Sequence, residues 1–130
     1  MPAFEGMSLT GNSRKVACDG RSKYVLFIMS LHCDACLEEI STWNSIAPRI
    51  RNQDYIVLGM ITDSKRLTIP PVDFDLVAIP NMSVQRAYRV VAVPLVMVVR
   101  DGKIEWVHYG ALTSDQRSEL LSVIENRPTN

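Results

Sequence analysis

Apolar residues fall in two patterns along this chain. From Tyr24 to Met29 they form an unbroken run without alternation, the pattern of a strand buried on both faces. Tyr55 to Ile61 reads as a second buried strand. Between them, Leu37, Ile40, Trp43 or Asn44, Ala47 and Ile50 recur at helical spacing. The spacing predicts a helix from about Asp34 to the neighbourhood of Pro48, where the proline ring should kink or end it by removing a donor and crowding the preceding turn. Phe4 to Ala17 reads as a short β-hairpin turning at Thr10-Gly11-Asn12, and Thr62 to Pro80 as a proline-rich loop. Ser83 to Arg89 fits a short helix with Ser83 as its cap. A strand is predicted from Val93-Pro94 through Val99, then an Asp101-Gly102 hairpin and a partner strand from Ile104 to Tyr109. Thr113 with Gln116 fits a capping box, ahead of a helix striped by Leu120, Leu121 and Ile124. A buried strand, a crossover helix and another buried strand argue for an α/β chain with a parallel pair, closed by an antiparallel hairpin.

Composition narrows the class. The 130 residues contain no repeat, low-complexity tract or linker, so they read as one domain spanning 1–130. With 47% hydrophobic residues and Lys+Arg 14 balancing Asp+Glu 14, the chain lacks the bias of a disordered tail or of a charge-driven nucleic-acid binder. The longest apolar run, Val90 to Val99, is interrupted by Pro94 and is far below the ~20 residues of a spanning helix. Met1-Pro2-Ala3 opens without the basic and apolar stretches of an export signal, and a signal or anchor upstream is left open.

Three cysteines are too few for a disulfide-rich scaffold, but Cys33 and Cys36 stand three apart between a buried strand and a helix. At a strand exit and one turn into a helix, two sulfurs reach disulfide geometry with little backbone movement. Cys33 would sit at the helix N-terminus, where unpaired N–H groups and the macrodipole favour an anion, which marks it as nucleophile and Cys36 as the resolving thiol. Asp34 disfavours a thiolate beside it and stabilises the disulfide, whereas His32 pulls the other way; the balance leans towards a reductant.

The chain resembles the thioredoxin superfamily, and within it the TlpA-type branch of extracytoplasmic thiol–disulfide oxidoreductases. The residues carrying the resemblance are Ala3-Phe4 through Gly11, Tyr24 to Glu39, Tyr88-Arg89-Val90, Val93-Pro94, Asp101-Gly102-Lys103 and Gly110. It implies a thioredoxin-like fold, a central mixed β-sheet flanked by helices, with an extra N-terminal hairpin. It implies a cis-proline at Pro94 opposite the cysteines, with Val93 and His32 bordering the substrate. Glu39, one turn beyond Cys36, becomes a candidate acceptor for the Cys36 proton. It also implies protein thiols and disulfides as substrates with a separate redox partner, no cofactor, a monomer, and an envelope location with an anchor outside this chain; the cytoplasm stays open.

Four positions depart from the pattern. His32 stands for the usual aromatic before the first cysteine, Ala35 and Ser41 for prolines, and Phe27 for the buried aspartate of ordinary thioredoxins. The last shifts proton handling towards Glu39.

Blander and rival readings stand beside these. The pair as inert thiols, or as half a zinc site, finds only Cys18, His32 and His108 as further ligands, none at motif spacing. Cys18 reads as a free cysteine, Glu38 as solvated, Trp43 and Trp106 as packing residues, and Arg49, Arg51, Lys65 and Arg66 as ordinary surface charges. Ser30-x-x-Cys33 imitates half of a thiol peroxidase signature, with Leu26 where that signature needs proline. A copper- or partner-binding module on Cys33, Cys36 and a histidine is the non-enzymatic alternative.

Overall fold

Lys23–Met29 (β3) is an interior strand of a seven-stranded sheet because nearly every side chain along it is apolar, so both faces can be covered. The computed structural model describes residues 4–8, 13–16, 23–30, 32–62, 72, 74–78, 86 and 92–125. Within them lie β1 (Phe4–Ser8), β2 (Ser13–Val16), β3, α1 (Asp34–Arg51), β4 (Ile56–Ile61), β5 (Asp75–Ala78), β6 (Leu95–Arg100), β7 (Lys103–Tyr109) and α2 (Ser114–Ile124). The strand order is β2-β1-β5-β4-β3-β6-β7. β3 runs parallel to β4, to which the crossover helix α1 leads, and antiparallel to β6, which the β6–β7 hairpin continues to the sheet edge.

Alternate residues of β3 feed two cores. Val25, Phe27 and Met29 face α1 and α2, joined by Trp43, Ile50, Val96, Val98 and Leu120; Tyr24, Leu26 and Ile28 face the other side with Leu58, Met60, Leu95 and Met97. Phe27 stacks on Trp43, ring centroids 4.8 Å apart and 6° from parallel, and Phe74 packs against both. Gly59, paired with Phe27 across the sheet, leaves the space that Phe74 and Leu76 occupy.

The β1–β2 pair forms the expected N-terminal hairpin; its turn at 10–12 lies outside the described residues. The β6–β7 turn has Asp101 and Gly102 both at positive φ, 54° and 77°, which is the geometry that makes Asp-Gly a hairpin signal. The capping box at Thr113 is present in both directions, Gln116 N–H to Thr113 Oγ1 and Thr113 N–H to Gln116 Oε1.

Two expectations are corrected. α1 passes through Pro48 and ends at Arg51, because Pro48 faces solvent while Ile46, Ala47 and Ile50 are buried and hold the last turn. The segment read as loop from Thr62 to Pro80 contains β5, whose Leu76 and Val77 are buried and which pairs in parallel with β4. The helix expected at Ser83–Arg89 lies, Arg86 apart, outside the described residues, as do Cys18, Lys65 and Arg66. Among the described residues no helix is long and apolar enough to cross a membrane.

Candidate active site

The apolar run of β3 stops at Met29, and the chain turns through Ser30 to His32 before α1 begins. Ser30 organises that turn. Its carbonyl accepts the Cys33 N–H at 3.2 Å, and its hydroxyl oxygen accepts the His32 N–H at 3.1 Å. Cys33 is thereby delivered to the N-cap of α1 in an extended conformation, φ −105° and ψ 108°.

An N-cap side chain normally offers oxygen to an orphan N–H of the first turn. Here the acceptor is sulfur: the Cys36 N–H donates to Cys33 Sγ at 3.1 Å. Cys33 is half-buried and Cys36 wholly buried, and both are free thiols. The half-buried cysteine lies at the positive end of an 18-residue helix, and the buried one lies one turn inside.

Glu39 comes next on the inner face of α1. At 6% exposure it is the one buried charged residue among those described. Its Oε2 accepts the Leu112 N–H at 2.7 Å, from the connector between β7 and α2. Burial pushes the Glu39 carboxyl above its ordinary value; the Leu112 N–H and the charges of Arg117 and His108 oppose that rise. Phe27 is sealed in the aromatic stack and has no titratable group.

Pro94 precedes β6, and its bond to Val93 is cis. The register Ile28↔Leu95 sets Pro94 beside the C-terminal end of β3, the end from which Cys33 departs. The Pro94 carbonyl accepts the Gly110 N–H at 2.7 Å. Gly110 has φ 101°, a conformation L side chains rarely adopt, so the glycine is needed there. Val93 is half-buried, and its backbone has no hydrogen-bond partner among the described residues.

The sheet therefore brings Cys33, Cys36, Glu39, Val93 and Pro94 to one end, with His32 exposed at the rim. Sequence reasoning left out Leu112 and Arg117. Leu112 acts through its backbone N–H, which no side-chain pattern announces. Arg117 sits one turn into α2, its N–H on the Thr113 carbonyl and its buried Nε without a partner among the described residues.

No family model matches the chain, and no curated protein matches it. Solved structures do. The candidate thiol:disulfide interchange protein DsbE of Chlorobium tepidum superposes with TM-score 0.78 at 21% identity, over 95% of this chain and 92% of that one. The thioredoxin domain of a thiol-disulfide oxidoreductase from Bacteroides vulgatus gives 0.78 at 17%, over 95% and 94%. The exposed lipoprotein thioredoxin Etrx1 of Streptococcus pneumoniae gives 0.75 at 19%, over 93% and 98%. Likeness at such identities concerns architecture, and by that measure the chain has a thioredoxin-like fold.

Proposed function

We propose that this chain is a thiol–disulfide oxidoreductase that acts on protein disulfides through Cys33 and Cys36. The observation that carries the reading is the Cys36 N–H aimed at a half-exposed Cys33 sulfur on the helix N-cap. The fold it shares with oxidoreductases of similar length adds support.

In the forward direction the Cys33 thiolate attacks one sulfur of a substrate disulfide. The substrate S–S bond breaks, its leaving thiolate takes a proton from solvent, and a mixed disulfide forms. Cys36 then gives its proton to Glu39 and attacks Cys33. The second substrate thiolate leaves, and the Cys33–Cys36 disulfide holds the oxidising equivalents while two electrons pass to the substrate. A dithiol partner restores the reduced pair. Val93, whose backbone has no hydrogen-bond partner among the described residues, is suited to receive an extended substrate segment by strand addition, with His32 at the border. The exposed Asp34 next to Cys33 favours the disulfide over the dithiol, which suits a reductant. Etrx1, one of the similar structures, is an exposed lipoprotein, and an extracytoplasmic site of action fits that company.

The test is reduction of insulin disulfides by the purified protein with a dithiol reductant. Activity that disappears in Cys33→Ser is expected. Activity retained in that variant would refute the reading.

A further inference from the structure

Two backbone N–H groups of the β7–α2 connector donate in different directions. Gly110 N–H runs to the Pro94 carbonyl at 2.7 Å, and Leu112 N–H runs to Glu39 Oε2 at 2.7 Å. Between them, His108 Nε2 donates to the Ala111 carbonyl at 3.1 Å. Thr113 then anchors the far side as the N-cap of α2. Four consecutive residues are thus tied to the Val93–Pro94 peptide, β7, α1 and α2, and two of the ties end at the docking peptide and at the buried acid.

We infer that the Gly110–Leu112 connector is a positioning segment that couples the protonation of Glu39 to the Val93–Pro94 docking peptide. The inference rests on the oxidoreductase reading for its purpose but not for its geometry. An ionised Glu39 binds the Leu112 N–H more strongly than a neutral one, because a hydrogen bond to a charged acceptor is roughly twice as strong. Drawing Leu112 towards α1 moves Gly110, two residues away, and with it the Pro94 carbonyl. During turnover Glu39 gains a proton at the resolving step, as substrate must leave. Loosening the Leu112 tie at that moment relaxes the peptide that holds the substrate, so proton transfer and release become linked.

The charged groups bearing on Glu39 are Arg117 from α2 and His108 from β7, and on α1 the titratable neighbour one turn back is Cys36. The buried Arg117 Nε has no hydrogen-bond partner among the described residues, and the Arg117 charge favours the ionised carboxylate. His108 holds Ala111 directly, so its effect on the connector must be separated from that of Glu39.

The experiment follows backbone amide shifts of the reduced, isotopically labelled protein through a pH titration. The Glu39 carboxyl carbon is observed alongside. Gly110 and Leu112 amides are expected to move together at the Glu39 midpoint, to keep that step in His108→Gln, and to lose it in Glu39→Gln. A Gly110 amide that stays flat while Leu112 titrates would overturn the coupling, and so would a Gly110 step that vanishes with His108→Gln. Insulin reduction by the same samples reports separately on the oxidoreductase reading, so failure of one is distinguishable from failure of the other.

Discussion

The backbone nitrogen of Cys36 lies 3.1 Å from the sulfur of Cys33 and donates its hydrogen to it, so the sulfur occupies the place of an N-cap oxygen. The arrangement makes the two thiols unequal before any substrate arrives. Cys33 takes the helix-end field and partial exposure, and Cys36 takes burial.

Alkylation should show the inequality directly. With a limiting amount of iodoacetamide, the reduced native protein is expected to carry label on Cys33 and almost none on Cys36, since reactivity follows exposure and thiolate character. Peptide mapping by mass spectrometry checks this, and equal labelling of both would contradict it.

Glu39 imposes a pH dependence on stability. Burial raises its folded-state value, so the folded protein holds the proton to higher pH than the unfolded chain, whose glutamate titrates near about 4.3. Its contribution is present at low pH and is lost as pH rises through the raised value. Glu39→Gln keeps an acceptor for Leu112 without the charge. Relative to wild type it is expected to gain stability progressively from about pH 4.3 upward, then level off. Urea unfolding at a series of pH values measures the gap, which would stay constant if Glu39 were solvated.

Phe27→Asp restores the acid found in ordinary thioredoxins, but here the site is an aromatic stack with Trp43 and Phe74. The loss of a buried phenyl ring alone costs about 3–5 kcal/mol. The expected result is a strongly destabilised or unfolded protein, read by circular dichroism and thermal unfolding. A near-neutral variant would show that the stack tolerates water.

Gly59→Ala tests the same packing from the sheet side. Its new methyl would clash with Leu76 and come within 2.7 Å of Phe74 Cε1. Such overpacking costs about 1–3 kcal/mol, and denaturant unfolding should register it.

Where adjacent residues carried the information, the sequence was readable. The uninterrupted run of β3, the Asp101-Gly102 turn and the Thr113–Gln116 box each depend on a few neighbouring residues, and each formed as expected. Cys33 and Cys36 owe their environments to the same local grammar of strand exit and helix start. β5 was hidden because the flanking Pro70, Pro71 and Pro80 read as loop, while its pairing with β4 is set by tertiary contact. Pro48 misled in the opposite sense, since burial of Ile50 beyond it outweighs one missing donor. Glu39 resembled any exposed helical glutamate. Its burial depends on a backbone N–H 73 residues away, a relation invisible to spacing along a helix.

The most direct test of the roles assigned to the two cysteines is capture of the intermediate. Cys36→Ser, incubated with a disulfide-bonded protein substrate, is expected to accumulate a mixed disulfide through Cys33, identified by mass spectrometry of the non-reduced, digested adduct. Cys33→Ser should trap nothing. Accumulation in Cys33→Ser instead, or an adduct joined through Cys18, would contradict Cys33 as the nucleophile.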